Sequence, residues 1–190
     1  MENKRLFIAV EILSAARKAA YQLGSRVLKN CDDARPVKED NIHITLKFLG
    51  SVSENSIDLI SDAITCAASS FNHFSFEIDG KMDAFPNKER ARTVFSAIGE
   101  GKPELKLLYL GIEESLGRAS RQFRVRAGTN DFMAHITIAR LRHPEDINYA
   151  IEKAGTILPI RIECRKIALF ESILGPAGVR YTKLKEFSLK

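Results

Sequence analysis

A histidine and a threonine two residues apart occur twice in this chain, each time inside an apolar run. The first run is Asn41-Ile42-His43-Ile44-Thr45-Leu46-Lys47-Phe48-Leu49-Gly50, and the second is Met133-Ala134-His135-Ile136-Thr137-Ile138-Ala139-Arg140. A strand turns successive side chains to opposite faces. His43 and Thr45 are therefore expected on one face, with Ile42, Ile44, Leu46 and Phe48 on the other. His135 and Thr137 pair in the same way, backed by Ala134, Ile136 and Ile138. Two of the four histidines fall into this pattern. The repetition favours a polar pair presented twice to a groove over two histidines satisfied separately in a core.

The flanking elements repeat as well. Residues 5–12 read as a strand, followed by a helix with Ser14 as N-cap and Ala16, Ala20, Leu23 and Val27 at helical spacing. Arg35-Pro36-Val37 leads into the first His-x-Thr strand. Ser53 then caps a helix with Ile57, Ile60, Ile64 and Ala67 on one face. Residues 74–78 alternate as a strand ending near Gly80, and 84–92 read as a basic loop. The second half starts over with a strand at 93–98 and a helix opened by Pro103, burying Leu105, Leu108, Ile112 and Leu116. A basic stretch from Arg118 to Asn130, with Arg121, Arg124 and Arg126, precedes the second His-x-Thr strand. Pro144 is expected to start a short helix through Ile147 and Ile151, stopped by Gly155. Two last strands, about 157–171 and 179–189, flank turn residues 174–178. Strand, helix, His-x-Thr strand, helix is thus the order in each half. One bilobal unit over 1–190 follows, with motifs at 43–46 and 135–138 facing a common cleft in approximate two-fold symmetry.

Composition narrows the function classes. The chain's 190 residues are ample for a core, and 45% hydrophobic with 28% charged residues is ordinary for a globular protein. No apolar run approaches a membrane span, and Leu6 to Val10 is too short for a signal-peptide core. No membrane association is expected. Cys31, Cys66 and Cys164 are odd in number and far apart, which argues against a disulfide framework or a cysteine-based metal site and for a cytoplasmic location. A net charge of +5 favours an anionic partner such as nucleic acid.

Two imidazoles across a cleft suit acid-base chemistry, because histidine titrates near neutral pH. One ring takes a proton from an attacking oxygen while the other gives one to a leaving oxygen. The threonine hydroxyls can donate to the non-bridging oxygens of a phosphodiester. No Asp, Glu or Cys stands at a ligand spacing from either histidine, so no metal and no cofactor are expected. His73 and His143 sit at turns and read as surface residues. A serine-hydrolase reading lacks its Gly-x-Ser-x-Gly elbow.

The two His-x-Thr-x motifs resemble the signature of the 2H phosphoesterase superfamily, and specifically its RNA 2',3'-cyclic phosphodiesterase branch, the 2'-5' RNA ligase family. The resemblance extends to Arg5-Leu6-Phe7-Ile8-Ala9, to Asn41 through Gly50, to Phe85-Pro86 with Arg92-Thr93-Val94-Phe95, and to Leu169-Phe170-Glu171-Ser172 with Gly175-Pro176 and Arg180-Tyr181. It implies a bilobal α+β fold, each lobe an antiparallel-rich sheet with helices on its outer face and the active-site cleft between them. It implies hydrolysis of RNA 2',3'-cyclic phosphate ends, tRNA fragments among them, to 2'-phosphomonoesters, with 2'-5' ligation as the reverse reaction. By the same carry-over His43 is the proton donor to the departing 3' oxygen and His135 the base that activates water. Thr45 and Thr137 hold phosphoryl oxygens, and a monomer is expected. The near-symmetry of the motifs does not itself choose which histidine is the acid.

Two features depart from simple expectation. The family usually has proline before the second histidine, where this chain has Ala134, so a looser strand geometry is expected there. Arg140 matches a common arginine of the second motif and is a substrate-binding candidate, yet strict alternation puts it on the face opposite His135. Only a twist, a bulge or the end of the strand would bring it to the phosphate. Two rival readings stand beside the hydrolase: an RNA-end-binding module without turnover, and the same chemistry on a small cyclic nucleotide or a cyclic phosphate of ADP-ribose.

Overall fold

The run Leu6 to Val10 is buried at every position, as a strand covered on both faces must be. In the computed structural model, which describes residues 3–119, 132–176 and 178–190, this strand is β1 (Asn3–Glu11). It pairs antiparallel with β3 (His43–Ser53) on one side and β8 (Lys166–Gly175) on the other. With β9 (Gly178–Ser188) they form a four-stranded sheet of order β3-β1-β8-β9. The second sheet has five strands in the order β2-β6-β5-β4-β7. These are β2 (Ala34–Pro36), β4 (Phe74–Phe85), β5 (Ala91–Ile98), β6 (His135–Glu145) and β7 (Ile160–Cys164). The strand orders β3-β1-β8-β9 and β6-β5-β4-β7 each begin with a His-x-Thr strand, and these two strands, β3 and β6, are in contact.

Among the described residues four α-helices pack on the two sheets or on one another, and each sheet is backed by a helix from the other half. α1 (Ser14–Leu28) leaves β1 and packs on β2, β6 and α4 (Asn148–Ala154). α3 (Lys102–Ala119) leaves β5 and packs on α2 (Ile57–Ser69) and β3. Gly24 makes the first exchange possible: a Cβ on it would run into the Ile138 carbonyl of β6. The second is fastened by an ion pair between Lys47 of β3, only 6% exposed, and Glu113 of α3. The buried apolar side chains accordingly form one cluster through both sheets.

Several boundaries differ from the sequence reading. Ser14 is the first helical residue behind Leu13, and neither Leu13 nor Ser53 makes a side-chain cap; a single 3-10 turn at Glu54–Ser56 precedes α2. Gly80, at φ +71, marks a register shift inside β4, which continues to Phe85. The basic loop therefore shrinks to 86–90. Pro144 lies in the tail of β6, and α4 starts at Asn148 and ends at Gly155, φ +68. The expected strand at 157–171 is two strands in different sheets, parted by Arg165. Arg35-Pro36 is not a lead-in but part of β2. Of the basic stretch, Arg118 closes α3 and pairs with Glu114 at 2.5 Å. Arg121, Arg124 and Arg126 lie outside the described residues, as does Ala177 of the last turn.

Candidate active site

Both His-x-Thr strands begin at their histidine and share one burial rhythm over their first nine residues. Ile44 and Ile136 point into the core while His43, Thr45, His135 and Thr137 turn to a cleft of about 640 Å³ between the sheets. The rhythm then breaks in both strands at the same place. In β3 the register passes from Thr45 opposite Ala9 to Lys47 opposite Ile8, leaving Leu46 as an extra residue. In β6 it passes from Thr137 opposite Phe95 to Ala139 opposite Val94, leaving Ile138 extra. Each is a β-bulge, which re-aims everything after it. Arg140 is thereby carried onto the cleft face beside His135, and Phe48, expected in the core, stands 67% exposed at the cleft instead. Phe48 and Arg140 occupy equivalent positions, five residues after each histidine.

The backbone fixes each imidazole. His43 Nδ1 lies 2.7 Å from the carbonyl oxygen of Asn41, and His135 Nδ1 lies 2.8 Å from that of Met133. A carbonyl only accepts, so in both rings Nδ1 carries the proton and Nε2 is left as the exchangeable nitrogen. Ala134 in place of proline has not loosened this hold; the two contacts are nearly equal in length. The Thr45 hydroxyl donates to the neutral His43 Nε2 at 2.8 Å. Among the described residues His135 and Thr137 make no such bond.

Aromatic rings wall both histidines. Phe7 and Tyr181 contact His43 at 4.9 and 5.2 Å between centroids, and Phe85 and Phe95 contact His135 at 5.1 and 5.3 Å. Burial among them pushes His43 down to about 4, with the charges of His135 and Arg140 adding to the effect and the Asn41 carbonyl opposing it. His135 is lowered by burial and by Arg140 against the pull of the Met133 carbonyl. Both rings are therefore neutral at pH 7. Arg140 donates to Thr93 Oγ1 at 3.4 Å.

Sequence reasoning named His43, Thr45, His135, Thr137 and Arg140, and the structure brings all five to one cleft. It missed Phe48, Thr93 and Tyr181 as lining residues. It also missed Asn41, whose side-chain amide donates to the Val179 carbonyl at 2.9 Å and ties the β8–β9 hairpin to the histidine. Apolar neighbours side by side, Ile138-Ala139 followed by Leu141, are a break in alternation that signals the bulge. His73 and His143 are surface residues, facing Glu163 and Asp33. Among the described residues no cluster of three or more potential ligands could hold a metal ion, and no helix is long and apolar enough to cross a membrane.

The chain matches the family of LigT-like phosphoesterases over residues 10–95 and 110–181. It is 32% identical to an RNA 2',3'-cyclic phosphodiesterase of Archaeoglobus fulgidus, covering 96% of this chain and 99% of that protein. It is 28% identical to one of Thermotoga maritima, covering 96% and 94%. Among solved structures, a Thermus thermophilus protein superposes with a TM-score of 0.77 at 25% identity, over 97% of both chains. Escherichia coli LigT in complex with 3'-AMP superposes at 0.76 and 23% identity, over 99% of both.

Proposed function

We propose that this chain, which belongs to the LigT-like phosphoesterases, hydrolyses the 2',3'-cyclic phosphate ends of RNA to 2'-phosphomonoesters without a metal. The observation that carries the reading is the pair of histidines on one cleft, each with Nδ1 committed to a carbonyl and Nε2 left for proton exchange. The curated relatives bear the name of that activity.

In this mechanism His135 Nε2 takes a proton from water, and the water oxygen bonds to phosphorus. The bond from phosphorus to the 3' oxygen breaks, and a protonated His43 Nε2 gives its proton to that oxygen. Thr45, Thr137 and Arg140 hold the non-bridging oxygens, where negative charge builds up. The histidines finish with exchanged protonation states and reset through solvent. With a 5'-hydroxyl in place of water as the nucleophile, the same groups in the same roles form a 2'-5' linkage as the bond to the 3' oxygen breaks. The two lobes work as one unit of residues 1–190, since each supplies half of the acid-base pair. The enzyme acts as a monomer on cytoplasmic RNA ends, such as those of cleaved tRNA.

The test uses an oligoribonucleotide ending in a 2',3'-cyclic phosphate, incubated with the protein in excess EDTA and followed by phosphorus NMR. A 2'-phosphomonoester is expected. A 3'-phosphomonoester, or dependence on added metal, would overturn the mechanism.

A further inference from the structure

The two sheets match in strand order except that the second carries β2 beyond β6, whereas among the described residues no strand lies beyond β3 in the first. β2 is three residues long and brings one cation to the cleft. Arg35 lies directly opposite Arg140 in the antiparallel register. Like charges directly opposed across strands repel and lower stability. Arg142 stands two residues beyond Arg140, exposed on the same face of β6. All three arginines line the cleft, whose lining contains no Asp or Glu among the described residues. The nearby carboxylate, Asp33, accepts from the backbone N–H of His143 at 2.5 Å and also feels the charge of Arg142, which leaves the Arg142 guanidinium at the cleft rim between Asp33 and a bound anion.

On the opposite wall, the position equivalent to Arg140 is Phe48. The symmetry is thus broken in charge: cations on one wall, an exposed ring on the other. Sheet spacing sets the Arg35 and Arg140 backbones about 5 Å apart, and Arg140 and Arg142 about 7 Å apart. One cyclic phosphodiester carries a single negative charge, which Arg140 faces beside the histidines. Three arginines on one wall, two of them paired in register across β2 and β6, fit more than one phosphate.

We propose that Arg35 and Arg142 form a second phosphate subsite, which takes a phosphate on the 5' side of the reacting nucleotide while Arg140 faces the cyclic phosphate. The proposal rests on the hydrolase reading above. That second phosphate is either the internucleotide diester of an RNA chain or the 5'-phosphate of a small nucleotide.

The test compares kcat/KM for adenosine 2',3'-cyclic phosphate, its 5'-phosphorylated form, and the dinucleotide ApA ending in a 2',3'-cyclic phosphate. Wild type is measured beside Arg35→Ala, Arg142→Ala and the charge-keeping Arg35→Lys and Arg142→Lys, each checked for a native melting transition. Wild type is expected to prefer a two-phosphate substrate by about tenfold or more, the factor of one charge-assisted contact. Added salt should shrink that preference. Each alanine variant should lose about fivefold more on the two-phosphate substrates than on the one-phosphate substrate, and the lysine variants should keep part of the preference. Equal preference for both two-phosphate substrates supports the subsite with a small nucleotide as sufficient ligand; preference for the dinucleotide alone supports it with RNA as the ligand. Equal kcat/KM for all three substrates in the wild type overturns the subsite but leaves the hydrolase reading standing, and so does an equal loss on all three in the variants. Turnover of none by the wild type sinks both.

Discussion

An acid must hold a proton before it can give one, and burial keeps His43 neutral at pH 7. With its titration lowered to about 4, roughly one ring in a thousand is protonated at pH 7. For His43 to be half protonated at that pH in the complex, the bound substrate must raise it by about 3 pH units, or about 4 kcal/mol. A single negative charge at about 4 Å supplies about that much at an effective dielectric of 20. The cyclic phosphate itself is therefore a sufficient switch: it charges the acid as it binds. The perturbation to apply is a saturating, unreactive anion such as 2'-AMP. The assay is an NMR titration of the His43 ring, with calorimetry in buffers of different ionisation enthalpy to count protons. The expected result is a shift of the His43 titration from about 4 toward neutrality and a net proton uptake on binding near pH 6. A ring that still titrates near 4 in the saturated complex would refute the reasoning, and with it the role of His43 as acid near neutral pH.

Three further outcomes follow from the same structure. His43 titrates near 4 in the fold against 6.5 unperturbed, so below pH 6.5 the unfolded chain binds protons first. Stability should then fall as pH drops from about 6.5 to about 4, by about 3 kcal/mol from this residue, and His43→Gln should remove that part of the slope in urea unfolding; an unchanged slope would contradict the burial argument. Gly24→Ala forces α1 off the Ile138 carbonyl and should lower stability by about 1–3 kcal/mol while weakening anion binding through the displaced Arg140 strand, whereas a melting temperature equal to wild type would show the contact is slack. Glu113→Ala removes the ion pair that the buried Lys47 makes at the back of β3 and should cost about 3 kcal/mol, while Lys47→Met with Glu113→Leu recovers most of it; equal losses in chemical unfolding would show that the charge itself is not the problem.

Much of the site was legible because alternation is a local code. His43 with Thr45 and His135 with Thr137 could be assigned to a shared face from spacing alone, and the repeated order of elements pointed to the two antiparallel sheets that carry them. What failed was whatever depends on an interrupted ladder or a distant partner. The bulge at Leu46 is masked by Lys47, a charged residue that is nonetheless buried against α3, so Phe48 was placed on the wrong face. The bulge at Ile138 sits in plainer sequence, and it resolves the conflict that alternation posed for Arg140. The exchange of α1 and α3 between sheets has no local signature, since an amphipathic stripe says that a helix packs but not on what. Likewise, nothing around Arg165 announces that β7 and β8 part company into different sheets. β2 was missed because three residues with a proline carry too little pattern to read.

The central claim is that two histidines, one from each lobe, share a single acid-base reaction. The measurement that tests it most directly is kcat/KM on a 2',3'-cyclic-phosphate oligonucleotide for His43→Ala, His135→Ala and the double variant. Each single change should lower the rate by about 10²–10⁴-fold, and the double change should cost far less than the product of the two, as for groups that act as a unit. A single variant that keeps wild-type turnover, or losses that simply multiply, would contradict it.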